Sequence, residues 1–137
     1  MQEARYRHAG IVAGNNIYWG GGWDGSGDIC SVEIRDVNTG NSTTQYLYRS
    51  TEWSNAVMKD NKIVFFGTHY YDNNPNSHVA DKVDIYDIAS NTWSIGILPF
   101  SIEEPSIISV NNTIYVAGGF VNGVYNVYND KVWKLEF

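Results

Sequence analysis

The chain has 137 residues, 43% of them hydrophobic and 15% aromatic, which is enough to bury the core of one domain. Nine Lys and Arg against 15 Asp and Glu give a net charge of −6, which argues against a general binder of nucleic-acid phosphates. A single cysteine, Cys30, excludes an internal disulfide, and no apolar stretch reaches the length of a membrane span.

In chain order, the first apolar stretch is Ala9-Gly10-Ile11-Val12-Ala13. It is followed by Asn15-Asn16-Ile17-Tyr18-Trp19-Gly20-Gly21-Gly22 and then by Val32-Glu33-Ile34-Arg35-Asp36. The same three blocks return as Asn55-Ala56-Val57-Met58, Asn61-Lys62-Ile63-Val64-Phe65-Phe66-Gly67-Thr68 and Val83-Asp84-Ile85-Tyr86-Asp87. They return once more as Ser106-Ile107-Ile108-Ser109-Val110, Asn112-Thr113-Ile114-Tyr115-Val116-Ala117-Gly118-Gly119 and Val132-Trp133-Lys134-Leu135-Glu136. Aligned on the isoleucine of the middle block, the copies lie 63 − 17 = 46 and 114 − 63 = 51 residues apart. Self-similarity at such a period marks a repeat architecture.

Each block is short, rich in β-branched and aromatic residues, and bounded by Gly, Asn, Asp or Ser, which is strand chemistry. The unit reads as strand a, an Asn-containing turn, strand b ending in glycine, a variable loop, strand c ending in an acidic residue, a turn, and strand d. Asp87-Ile88-Ala89-Ser90-Asn91-Thr92-Trp93 is the fullest c–d turn, with Asp and Asn suited to bonding nearby backbone N–H groups. Cys30 falls at the start of the first strand c, where a buried small hydrophobe is expected.

These blocks resemble the kelch repeat, whose pattern is an apolar strand, a Gly-Gly doublet, a downstream Tyr-Asp and a Trp opening the last strand. Gly21-Gly22 and Gly118-Gly119 supply the doublet in the outer repeats, while Tyr86-Asp87 and Trp93 complete the middle one. The resemblance implies an all-β fold, a kelch-type β-propeller segment of three blades at about residues 8–49, 53–98 and 105–137 of one domain spanning 1–137. In it Trp19, Phe65, Trp93 and Trp133 are interblade core. Repeat three ends at strand c, so its blade lacks a fourth strand, and residues 2–7 offer at best a short donated one. Propellers have about four to eight blades, so three must be completed, either by homodimerisation into a six-bladed ring or by missing blades of a longer chain.

Function is expected in the loops, because the strands are occupied with packing. The extra length lies in the b–c loops, at residues 22–31, 68–82 and 119–130. Trp23, Asp24, His69, Tyr70, Tyr71, Asp72, Phe120 and Tyr125 are the candidate ligand-binding residues there, beside Tyr128, and Arg49 and Glu52 join them from the first d–a connection. Aromatics beside Asn, Asp and Gly suit adaptable recognition. The chain is therefore read as a non-catalytic binding module for a protein or peptide through the b–c and d–a loop face, with no cofactor, no metal, no nucleic acid and no membrane partner. The alternative is carbohydrate binding or sugar isomerisation on the same face, in the manner of epimerase-like or mutarotase-like kelch propellers, with Arg49 and Glu52 as the polar pair. His69, His78 and Asp72 could hold a metal, but the one cysteine lies in another blade from them, unlike the galactose oxidase pattern. With no secretory signal visible, the expected location leans cytoplasmic.

Overall fold

The computed structural model describes residues 1–52, 54–67, 69–70, 78–79, 81–121 and 127–136, and every regular element among them is a strand. In chain order these are β1 (Ala9–Ala13), β2 (Asn16–Gly20), β3 (Ser31–Asp36), β4 (Ser42–Tyr46), β5 (Asn55–Lys59), β6 (Lys62–Phe66), β7 (His69–Tyr70) and β8 (His78–Val79). They continue with β9 (Lys82–Asp87), β10 (Thr92–Ile97), β11 (Ile102–Glu103), β12 (Ser106–Val110), β13 (Thr113–Ala117), β14 (Phe120–Val121) and β15 (Val132–Leu135).

They form three antiparallel sheets, ordered β1-β2-β3-β4, β5-β6-β9-β10 and β12-β13-β15, together with the short pairs β7-β8 and β11-β14. Each is an up-and-down meander in chain order, the form of a propeller blade. The a–b turns use residues that tolerate a left-handed backbone: Gly14 (φ 58°), Asp60 (φ 53°), and Asn111 and Asn112 (φ 48° and 63°). Asp60 and Asn112 also bond each other reciprocally, tying the a–b turns of the second and third sheets together.

The sheets stack through their faces, with β5 lying between β1 and β12. In the first seam Ala9, Tyr18 and Val32 meet Ile63, Phe65 and Tyr86. In the second, Val57, Val64, Val83 and Ile85 meet Ile114, Val116 and Leu135. Adjacent residues of β6 thus serve opposite seams, which is why its run Ile63-Val64-Phe65-Phe66 is apolar throughout rather than alternating. Burial of side chains of this size contributes roughly 1.5–3 kcal/mol each, so these seams dominate the stability of the fold.

The expected core aromatics divide between the seams. Phe65 and Trp93 meet in the first at 5.8 Å, and Trp133 stacks on Phe100 in the second at 4.0 Å. Trp19 departs from expectation. It lies half-buried beside Gly10 on the outward face of the first sheet, which has no neighbouring sheet among the described residues. Cys30 also departs, sitting half-buried just before β3.

Residues 2–7 do not form a donated fourth strand. They take the place of a d–a connection. The Tyr48 N–H donates to Asp84 Oδ1 at 2.7 Å, and the Gln2 N–H donates to Glu33 Oε2 at 2.6 Å. Tyr48 follows Gln2 by 48 − 2 = 46 residues and Asp84 follows Glu33 by 84 − 33 = 51, the repeat offsets themselves. A connection must turn off the sheet edge toward strand a, so it has no register in which to ladder along strand c.

Candidate functional site

The b–c and d–a segments of each repeat leave the same edge of their sheet, and short pieces of β-structure fasten one to the other. Tyr6, ahead of β1, exchanges backbone hydrogen bonds with Trp23 of the first b–c loop, both at 3.0 Å. Glu103 in β11 pairs with Phe120 in β14. Trp23 and Phe120 each directly follow a glycine doublet, so the two bridges are one device repeated.

The doublets explain how the bridge forms. Gly21, Gly22, Gly118 and Gly119 have φ of 68°, 101°, 70° and 85°, a region that L side chains rarely adopt. A Cβ on Gly22 would stand 2.7 Å from the Tyr6 carbonyl oxygen, and one on Gly119 would run into the Glu103 carbonyl oxygen. Only glycine lets the chain swing around the end of strand b and pass that closely under the connection.

Polar groups then fill the space behind the bridges. The Arg5 side chain is 1% exposed, and its guanidinium donates to the carbonyl oxygens of Gly21 (3.1 Å) and Ser31 (2.8 Å) and to Ser31 Oγ (2.6 Å). Glu52 and Glu103 are equivalents, 103 − 52 = 51 residues apart, and both are buried, 5% and 4% exposed. Arg7 reaches Glu52 Oε2 at 3.1 Å. Burial, and then the charge of Arg5, hold the His8 imidazole below its usual pKa, so it is neutral at physiological pH.

Aromatic rings sit outside this layer. Phe120 packs against Tyr128 with centroids 5.4 Å apart, and the Arg7 guanidinium lies 5.1 Å from the Tyr6 ring. Tyr6 is 50% and Tyr128 72% exposed, while Trp23 and Phe120 are half-buried. A separate cleft of about 360 Å³ opens beside the first loop, lined by Arg5, Asp24, Asp28, Cys30, Ser31 and Tyr46 among others.

The predicted residues separate accordingly. Trp23 and Phe120 come to equivalent places as bridge residues. Asp24 is a turn carboxylate: it accepts the N–H groups of Ser26 (2.6 Å) and Gly27 (2.9 Å), which hold its pKa low. Arg49 lies 5.6 Å from the ring of Tyr48, and Arg7 makes an ion pair with Glu52. The backbones of His69 and Tyr70 form β7, paired with β8. Tyr71, Asp72 and Tyr125 lie outside the described residues. Sequence reasoning missed Tyr6, Arg7 and Arg5. The signal for them is the offset of 46, which sets Arg5 and Tyr6 opposite Thr51 and Glu52.

Among the described residues no three His, Cys, Asp or Glu are grouped to hold a metal ion, and no helix is long and apolar enough to cross a membrane.

Known proteins resemble this chain in sequence. The chain is 32% identical over 126 residues to Kelch-like protein 24 of Rattus norvegicus and of Mus musculus, covering 91% of this chain and 20% of theirs. The relatives support a kelch-repeat family. Over 67 residues the chain is 42% identical to Kelch domain-containing protein SSO1033 of Saccharolobus solfataricus, covering 48% of this chain and 9% of that one. The chain thus spans about a fifth of the length of Kelch-like protein 24. No family model matches it.

Proposed function

We propose that the chain is a kelch-type binding module, one unit over residues 1–137, that recognises a protein or peptide through the edge where its b–c and d–a segments meet. The repeated bridge carries this reading. The bridge between Tyr6 and Trp23 and the pairing of Glu103 with Phe120 fasten each b–c loop to a d–a connection, so the aromatic groups beyond them are presented on a rigid base. Among the described residues, Tyr6 and Tyr128 are rings at this base that face solvent, and tyrosine supplies contact area with few rotamers to freeze. Trp23, Phe120, Asp24, Arg49 and Glu52 are assigned to shaping that surface, with His69, Tyr70, Tyr71, Asp72 and Tyr125 as its extension from the second and third b–c loops. A second copy of the chain is the proposed cover for the two outward sheet faces.

The test is selection of ligands by the purified chain from a peptide library and from a glycan panel. The expected result is a peptide whose affinity falls at least tenfold, about 1.4 kcal/mol, on Tyr6→Ala or Tyr128→Ala, with the melting temperature unchanged. Saturable glycan binding with no peptide selected would assign the same edge to carbohydrate. Peptide binding indifferent to both substitutions would remove the loop edge from the account.

A further inference from the structure

Two sheet faces of this chain look outward, and each repeats the pattern of a face buried within it. On the third sheet Ile108, Tyr115 and Val132 share the outward face, at the repeat positions of Ile11, Tyr18 and Val32 in the first. Ile11, Tyr18 and Val32 pack into the first seam, whereas Ile108, Tyr115 and Val132 are 50%, 37% and 67% exposed. On the first sheet Val12, Ile17, Trp19 and Arg35 share the outward face, at the positions of Met58, Ile63, Phe65 and Tyr86, which all line that same seam. The chain therefore carries an unoccupied half of the seam at each end.

The two halves fit each other in detail. In the first seam the rings of Tyr18 and Tyr86 stand 5.9 Å apart. At the corresponding outward positions are Tyr115 and Arg35, so a seam built in the same way brings a guanidinium onto a phenol ring, an attractive pair in a desolvated setting. Around it Val12, Ile17 and Trp19 would meet Ile108, Tyr115 and Val132, apolar against apolar. Lys134 takes the place of Ile34, and its ammonium already pairs with Glu136, just past the end of β15, at 2.6 Å.

We propose, resting on the two-copy reading above, that a second copy of this chain docks head to tail on these faces, with Arg35 of each copy lying over Tyr115 of the other. The two seams are related by a two-fold axis and close three sheets and three sheets into one ring. The interface continues one already present twice inside the chain, and this selects a second copy as occupant.

The experiment is the solution mass by light scattering of the wild-type chain, Tyr115→Lys, and the double variant Arg35→Glu/Tyr115→Lys. Arg35 and Tyr115 are both on the outward faces, so the core is untouched, and a melting curve verifies folding. Wild type is expected at twice 15.4 kDa. Tyr115→Lys sets two cations against each other and should weaken the dimer at least tenfold, while the double variant should recover it by exchanging the partners. A wild-type mass of 15.4 kDa at every concentration overturns the two-copy reading and leaves further blades or another protein as the cover. A dimer that ignores Tyr115→Lys, or that the double variant fails to restore, keeps that reading and overturns this seam.

Discussion

At the scale of single residues, equivalent carboxyls illustrate how local partners override position. Glu33 and Asp84 occupy the same place in their repeats, and each accepts the N–H of an incoming connection. Burial raises the Asp84 pKa, and the single N–H of Tyr48 does not offset it. Burial acts on Glu33 too, but the Gln2 N–H, the Ser42 hydroxyl and the Met1 amine together hold its pKa below the usual carboxylate value. Asp87 shows the opposite extreme. It accepts the N–H groups of Ala89 and Ser90 in the c–d turn and pairs with Lys62 at 2.8 Å, and chiefly that bond to Lys62 lowers its pKa from 3.8 to about 2. A lowered folded-state pKa gives stability that is present above the unfolded value of 3.8 and is lost as pH falls through about 2. Asp87→Asn should therefore remove part of the acid dependence of the melting temperature between these values. An unchanged slope would show that the carboxylate makes no net contribution.

At the scale of elements, the glycine doublet is the part of the repeat with the narrowest tolerance. Gly118 and Gly119 share a left-handed backbone, but a Cβ on Gly118 meets nothing within 4 Å whereas one on Gly119 meets the Glu103 carbonyl oxygen. Gly119→Ala should cost the backbone strain, about 1–3 kcal/mol, plus the collision that parts β11 from β14, and Gly118→Ala the strain alone. Urea unfolding of the two variants ranks them; equal losses would mean that the bridge is not held closely. The strands themselves were legible in the sequence because each repeated block is a short apolar run between turn residues, and all nine quoted blocks form strands. The two-residue strands β7, β8, β11 and β14 were not, since they consist of short backbone pairings within or between loops and carry no period of their own. The site was legible to the same limited degree. Trp23 and Phe120 stand out by following glycine doublets, but that Glu52 receives Arg7 and that Arg5 is buried depend on how residues 1–7 fold back, which composition does not encode.

At the scale of the whole molecule, three sheets packed through two apolar seams leave Val12 and Trp19 at one end and Ile108, Val110, Tyr115 and Val132 at the other. Exposed patches of this kind mark interaction surfaces. The account joins these ends through a second copy, which would also set two loop edges around one axis and double the recognition surface. Small-angle X-ray scattering on the wild-type chain, with the mass taken from the same curve, tests both points at once. The account predicts a particle of twice 15.4 kDa whose curve fits a closed disc of six sheets around a central channel. A particle of 15.4 kDa, or one of twice that mass whose curve requires an elongated, open arrangement, would contradict it.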